Sequence, residues 1–213
     1  MTHTLHRSGD ANSLKEDYVL LALTVPNVNR EGSEEKMRQI MEVASRYEKE
    51  IVNFAVPFPS KGRQPKTIKE AGQVVSTNYI EHVVFKSRDS LKKCLKELKH
   101  RNLGISIVIS GIYEDTLQIC REIGISPHTV ALSLGIHGKT DRLPDKDVLE
   151  ITTMCGHHLV APNLVEETVD VITKGKMTHK EGAEELSKQC LCGVFNPYRA
   201  EKLLNKMTAE KNE

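Results

Sequence analysis

Three cysteines in the C-terminal third of the chain are the residues best suited to metal chemistry. Cys190 and Cys192 stand one residue apart in the stretch QCLCG, and Cys155 opens the stretch CGHH. All three fall at predicted helix ends or turns, where a cysteine adds little to an apolar core. Thiolates gathered at loops bind soft or borderline metals, and a C-x-C pair can place two sulfurs on one metal centre. The pattern therefore predicts a metal site shared by Cys155, Cys190 and Cys192.

The histidines beside Cys155 bear on which metal this site would take. His157 and His158 are adjacent, so at most one faces a shared site, and His157 is the candidate ligand. Three sulfurs and one imidazole nitrogen suit tetrahedral zinc, whereas three thiolates alone suit an iron–sulfur cluster with one open iron position. The spacing is not the C-x2-C knuckle of zinc fingers. Two other interpretations therefore stay open, namely a redox or nucleophilic thiol and incidental cysteines in tight turns.

The remaining cysteines and the N-terminal histidines have simpler interpretations. Cys94 and Cys120 fall on apolar helix faces, which predicts that both are core residues. His3 and His6 lie in a polar segment whose simplest interpretation is a disordered tail. The alternative is that this tail folds across a sheet and brings a histidine to the site.

The elements that would position these residues are alternating strands and helices. Five apolar runs predict strands: DYVLLALTV, IVNFAVPF, EHVVFK, GISIVISG and HTVALSLGI. Their alternation with amphipathic helices predicts an α/β fold, with a doubly wound, mainly parallel sheet of about five strands. Residues 19–24 and 105–109 are expected in central strands, because their apolar runs need cover on both faces. Four short helices follow, which indicates a small all-helical C-terminal subdomain.

These patterns divide the chain into three parts. They are a polar N-terminal tail at 1–16, an α/β sheet domain at 17–141, and a helical, cysteine-containing subdomain at 142–213.

A parallel sheet would also predict an anion site, because such sheets bind ligands outside the carboxyl ends of their strands. Lys61, Arg63, Lys66 and Lys69 make the loop after the second strand basic. The stretch SLGIHGKT resembles a phosphate-binding loop, but serine replaces its first glycine and no helix begins at the lysine. The predicted ligand-binding residues for a small anionic molecule are Ser110, Gly111, His137, Gly138, Lys139, Thr140 and Arg63.

Composition narrows the class of partner. Lys and Arg number 30 against 29 Asp and Glu, a balance that gives no electrostatic reason to expect nucleic acid or an anionic membrane. No apolar run reaches the length of a membrane span, and the first residues lack the apolar stretch of a signal peptide. A cytoplasmic protein with free thiols is expected. A homo-oligomer is left open.

Two functional classes fit these observations, and the sequence does not decide whether the protein is an enzyme. In the first, a zinc ion or iron–sulfur cluster at the cysteines acts on a small anionic ligand at the carboxyl edge of the sheet. The alternative is a binding or regulatory module whose C-terminal helices are held together by a structural zinc.

Overall fold

The computed structural model describes residues 4–55, 65–75 and 80–211. Its strands are β1 (Tyr18–Leu23), β2 (Ile51–Phe54), β3 (Glu81–Phe85) and β4 (Ser106–Ser110). Its α-helices are α1 (Ala11–Leu14), α2 (Glu34–Ser45), α3 (Ile68–Gln73), α4 (Arg88–Arg101), α5 (Tyr113–Ile123), α6 (Lys146–Thr152), α7 (Pro162–Thr173), α8 (His179–Lys188) and α9 (Pro197–Glu210). Two 3-10 turns cover Glu48–Glu50 and Thr140–Arg142. Within these ranges no helix is both long enough and apolar enough to cross a membrane.

The contacts group the chain into two compact units. The sheet unit contains residues 15–127 and 191–194, and the helical unit contains residues 1–14, 128–190 and 195–213. The segment that carries Cys192 therefore groups with the sheet, while Cys155 and Cys190 group with the helices.

The sheet corrects the predicted fold. It has four strands in the described residues, in the order β2-β3-β1-β4, and every neighbouring pair is antiparallel. The mainly parallel, doubly wound sheet of about five strands is therefore wrong. β1 and β2, joined through α2, run parallel with β3 between them, and β3 and β4, joined through α4, run parallel with β1 between them. This is the split β-α-β arrangement. An alternating order of strands and helices does not reveal whether two consecutive strands are neighbours or have another strand between them. Here both β-α-β crossovers leave room for one strand between the two that they connect.

Residues 105–109 also differ from their predicted central position. Among the described residues, β4 pairs with β1 alone and forms one edge of the sheet, and its residues are partly exposed. β1 is central, as predicted, and its residues from Tyr18 to Ala22 are fully buried. The apolar side chains of β4 pack partly against the core rather than being covered on both faces.

One face of the sheet carries the main core of this unit. Tyr18, Leu20 and Ala22 of β1 and Val83 and Phe85 of β3 share that face because side chains alternate along a strand. Helices α2, α4 and α5 cover this face. Their side chains buried in the core include Met37, Ile40, Met41, Leu91, Cys94, Leu95 and Ile119. Burial of each large apolar side chain contributes about 1.5–3 kcal/mol before chain entropy is counted.

The helical unit consists of four helices joined by short turns, together with α1. α8 packs against α7 and α9, and α6 packs against α7 and α9. Local sequence signals account for two of the helix starts. Thr178 and Glu181 form a capping box at the start of α8, and Asn196 caps α9 with Pro197 at its first position. The turn that carries Cys190 and Cys192 joins the end of α8 to the start of α9.

The fifth predicted strand is not formed. Residues 128–139 have no regular secondary structure, and no described strand pairs with them.

Candidate thiolate site

Cys155 and Cys190 lie together in the helical unit. Cys155 stands in the turn after α6, where its amide N–H donates to the Thr152 carbonyl at 3.1 Å. Cys190 stands in the turn after α8, where its amide N–H donates to the Ser187 carbonyl at 3.0 Å. Their thiols are hydrogen-bonded to each other, and both residues are buried. The predicted meeting of these two sulfurs is therefore present in the structure.

Backbone amides also point at the Cys155 sulfur. It accepts hydrogen bonds from the N–H groups of Leu159 and His157. His158 makes this turn possible, since its backbone is left-handed with φ 56° and its N–H donates to the Cys155 carbonyl at 2.9 Å. Backbone donors aimed at a sulfur favour its anionic form and are a recurrent feature around metal-bound cysteines.

The Cys155 thiol nevertheless holds its proton tightly. The hydrogen bond with Cys190, together with burial, raises the pKa of the Cys155 thiol well above its usual range, while the two backbone donors oppose that rise. A thiol that stays protonated near neutral pH is a poor nucleophile. A bound cation reverses this situation, because a coordinating thiol loses its proton outright. The pair is therefore better suited to metal ligation than to nucleophilic chemistry.

The other predicted metal ligands are placed differently. Cys192 groups with the sheet unit and is partly exposed, and the neighbouring Gly193 lies against the Phe54 carbonyl. The side chain of His157 is exposed, as is that of His158. Within the described ranges, no group of three or more His, Cys, Asp or Glu side chains is arranged to hold a metal ion. The structure thus joins two of the four predicted ligands.

Cys94 and Cys120 are buried, as predicted. Cys94 is a fully buried member of the sheet core, and burial raises the pKa of its thiol to about 12. Cys120 is nearly as buried on α5, and burial raises the pKa of its thiol too. Both are core thiols of the sheet unit rather than parts of the candidate site.

The antiparallel topology separates the residues of the predicted anion site. The carboxyl end of β4, with Ser110 and Gly111, lies at the opposite edge of the sheet from the carboxyl end of β2, because the two strands run in opposite directions. Gly111 has a packing role there, since an added Cβ would lie 2.5 Å from Cδ1 of Tyr18. The prediction that these residues share one edge of the sheet is therefore wrong. Arg63 and Lys61 lie outside the described residues.

The segment His137, Gly138, Lys139 and Thr140 belongs to the helical unit and is exposed. Residues 128–136, which lead directly into it, do not form a strand. His137 is hydrogen-bonded through Nε2 to the Leu134 carbonyl at 3.0 Å, and the Thr140 N–H donates to the Gly138 carbonyl at 2.9 Å. These contacts describe a local turn, and binding of an anion there stays a prediction.

A buried charged cluster in the helical unit escaped the sequence interpretation. Arg199 of α9 and Glu150 of α6 are both almost fully buried, with Nη2 3.2 Å from Oε2. Arg199 also donates from Nη2 to the Ser8 carbonyl at 2.6 Å and from Nε to Ser13 Oγ at 2.8 Å. Gly9 leaves the room for this, since an added Cβ would lie 2.2 Å from Nη2 of Arg199. The N-terminal segment is thereby anchored to the two helices.

A pattern in the sequence could have revealed this cluster. Arg199 precedes Leu203 by four residues, so it lies on the apolar stripe of α9. A charged residue on an apolar stripe needs a buried partner. His6 belongs to the same anchored segment and is hydrogen-bonded through Nδ1 to Ser133 Oγ at 2.9 Å, while His3 lies outside the described residues.

Comparison of the chain with protein-family models, curated protein sequences and solved structures finds no match. The thiol pair, its backbone donors and the buried charged cluster are therefore the observations on which a function can be based.

Proposed function

We propose that this protein binds a thiophilic metal, either zinc or the iron of an iron–sulfur cluster, through Cys155 and Cys190. The observation that carries the proposal is the Cys155 sulfur, which contacts a second thiol and accepts two backbone N–H donors. A free cysteine buried only for packing does not need such donors. Both residues also lie at helix ends, where one metal would cross-link α6 and α8.

The residues fit a metal in charge and in chemistry. Two thiolates supply the soft ligands that zinc and iron–sulfur clusters prefer. The sequence offers further ligands close by along the chain, since His157 follows Cys155 by two residues and Cys192 follows Cys190 by two residues. When bound, the metal would supply a cross-link whose binding free energy adds to the stability of the folded protein.

Burial of both sulfurs favours the structural role over a catalytic one. A catalytic metal keeps a position open to substrate, whereas a structural metal is enclosed by protein ligands. Cys155 is fully buried and Cys190 is 5% exposed. The proposal places the protein in a reducing compartment such as the cytoplasm, where thiols stay free for metal. Action on a small anionic ligand stays a prediction, because the structure does not bring the residues predicted to bind that ligand together.

We expect Cys155→Ser to abolish metal binding. The experiment is anaerobic purification of the full chain, followed by metal and acid-labile sulfide analysis and an absorption spectrum. Wild type should carry a stoichiometric amount of zinc, or of iron and sulfide, and Cys155→Ser and Cys190→Ser should each lose at least nine-tenths of it. Cys120→Ser is the matched control, because it removes a buried thiol from the sheet unit and should keep the metal.

Two results would contradict the proposal. One is equal metal content in wild type and in Cys155→Ser. The other is metal-free wild type in which mass spectrometry finds Cys155 and Cys190 joined as a disulfide, which would favour a redox pair instead. Zinc without sulfide, or iron with sulfide, decides between the two forms of the proposed site.

A further inference from the structure

The segment that precedes α1 lies against the turn that carries Cys155. The Ser8 N–H donates to Thr153 Oγ1 at 2.9 Å, and Nη2 of Arg7 donates to the Met154 carbonyl at 3.4 Å. The two contacts follow each other in order, because one step back from Ser8 to Arg7 is one step forward from Thr153 to Met154. The residue after Met154 is Cys155. We call residues 4–8 the strap, and it belongs to the same helical unit as the thiol pair.

Arg7 acts on the peptide unit that leads into Cys155. The carbonyl of Met154 and the N–H of Cys155 belong to one planar peptide. Arg7 donates to the carbonyl, while the N–H donates to the Thr152 carbonyl at 3.1 Å. The peptide is therefore held on both sides, which restricts where the Cys155 sulfur can lie. Groups that orient a metal ligand in this way commonly affect the metal affinity about as strongly as 10–100-fold.

The strap is packed into the helical unit. Thr4 is 4% exposed, and Thr153, with which the strap pairs, is 7% exposed. The Thr153 hydroxyl donates to the Leu149 carbonyl at 2.6 Å, so its oxygen accepts the Ser8 N–H. Loss of the strap from this position would uncover the end of α6 immediately before Cys155.

The strap also connects the thiol turn with the buried ion pair. The Ser8 carbonyl accepts Nη2 of Arg199 at 2.6 Å, and the same Nη2 lies 3.2 Å from Oε2 of Glu150. Glu150 and Cys155 stand five residues apart, at the end of α6 and in the turn that follows it. The bonds from Arg199 therefore fix Ser8, and Ser8 and Arg7 in turn hold the residues before Cys155.

Both sulfurs are enclosed by protein. Cys155 is 0% exposed and Cys190 is 5% exposed. A metal ion or a thiol reagent therefore reaches them only when a neighbouring segment moves away by local opening. The strap lies against the Cys155 turn, and the bond from Arg7 to the Met154 carbonyl opposes such a movement.

We propose that the strap controls access to the Cys155–Cys190 thiol pair and that Arg7 is its positioning residue. With the strap docked, Arg7 holds the peptide between Met154 and Cys155. When the strap undocks, that peptide is free to turn and the sulfurs can be reached. For a bound metal, where the inference rests on the proposed function, undocking limits the rate of release. Access of an organic reagent to the same thiols does not require a metal, so the two ideas can be tested separately.

The test uses full-length, reduced protein from which metal has been removed with a chelator. Alkylation by iodoacetamide, followed by peptide mass spectrometry, gives the rate at Cys155. Arg7→Ala should raise this rate about tenfold, the effect of losing one hydrogen bond from a charged donor, and Arg7→Lys should recover most of the wild-type protection. Lys206→Ala is the matched control and should leave the rate unchanged. It removes another cation that contacts α6, with Nζ 3.0 Å from Oδ1 of Asp147.

Metal transfer to a chromophoric chelator separates this inference from the proposed function. If wild type carries metal, Arg7→Ala should speed its release by a similar factor. If wild type is metal-free but Arg7→Ala still speeds alkylation, the metal proposal fails and control of access by the strap stands. Two results would overturn the inference. One is an unchanged alkylation rate in Arg7→Ala, and the other is equally faster hydrogen exchange throughout α7, which would show that the substitution opens the whole helical unit.

Discussion

We expect Arg199→Ala to lower the free energy of unfolding by about 3–5 kcal/mol, the usual loss when one member of a buried ion pair is removed. The substitution leaves the Glu150 carboxylate almost fully buried without its cation, and it removes the donors to Ser8 and Ser13. Chemical denaturation followed by circular dichroism of the helices measures the loss.

The matched control is a second ion pair between the same two helices. Nζ of Lys206 in α9 lies 3.0 Å from Oδ1 of Asp147 in α6, but the Lys206 side chain is 55% exposed. Exposed pairs contribute about 0–1 kcal/mol, so Lys206→Ala should have a small effect. Equal losses for Arg199→Ala and Lys206→Ala would show that the buried pair has no special role. Replacing both partners, with Glu150→Leu and Arg199→Met, should recover part of the loss.

Glu81→Gln should stabilise the protein above pH 8, and the gain should disappear in acid. Glu81 is 1% exposed, and neither carboxylate oxygen has a hydrogen-bond partner among the described residues. Burial raises the pKa of this carboxyl from 4.5 to about 8. The folded protein therefore keeps a proton that the unfolded chain releases, and stability falls as the pH rises from about 4.5 to 8.

The expected size of this effect is large. A pKa difference of about 3.5 between the folded and unfolded states corresponds to on the order of 5 kcal/mol. The measurement is the free energy of unfolding of wild type and Glu81→Gln at pH 5, 7 and 9. Relative to wild type, the free energy of unfolding of the variant should rise by several kcal/mol between pH 5 and 9. Histidine titration contributes to both proteins and cancels in that difference.

Glu122→Gln provides a control of opposite sign. Hydrogen bonds from Lys92 and Arg88 lower the pKa of Glu122 to about 2. The stability contributed by this carboxylate is present above pH 4.5 and is lost as the pH falls towards 2, so its replacement should change nothing between pH 5 and 9 beyond a constant offset. A stability difference for Glu81→Gln that does not vary with pH would contradict the account of Glu81.

Local patterns predicted the elements better than their arrangement. The apolar runs at β1, β2, β3 and β4 and the caps at Thr178 and Asn196 depend on neighbouring residues, so the sequence shows them directly. The order of the strands depends on pairings between distant segments. The run at 129–136 has the pattern of a strand, but a strand forms only where a partner edge is available to it.

In the candidate site, too, the features that depend on neighbouring residues were predicted and those that depend on distant contacts were not. The predicted helix ends placed Cys155 and Cys190 in turns after α6 and α8, and these two residues meet in the structure. The backbone donors to Cys155 depend on the left-handed conformation of His158, which no composition signal specifies for a histidine. The grouping of Cys192 with the sheet depends on a close approach of Gly193 to β2, which is a long-range contact.

X-ray absorption at the metal edge of the anaerobically purified wild-type protein tests the central proposal most directly. If Cys155 and Cys190 bind one metal centre, the spectrum should show at least two sulfur ligands at about 2.3 Å. Whatever metal Cys155→Ser or Cys190→Ser retains should have lost at least one of these sulfur ligands. A protein without bound metal, or a metal surrounded only by nitrogen and oxygen, would contradict the proposed thiolate site.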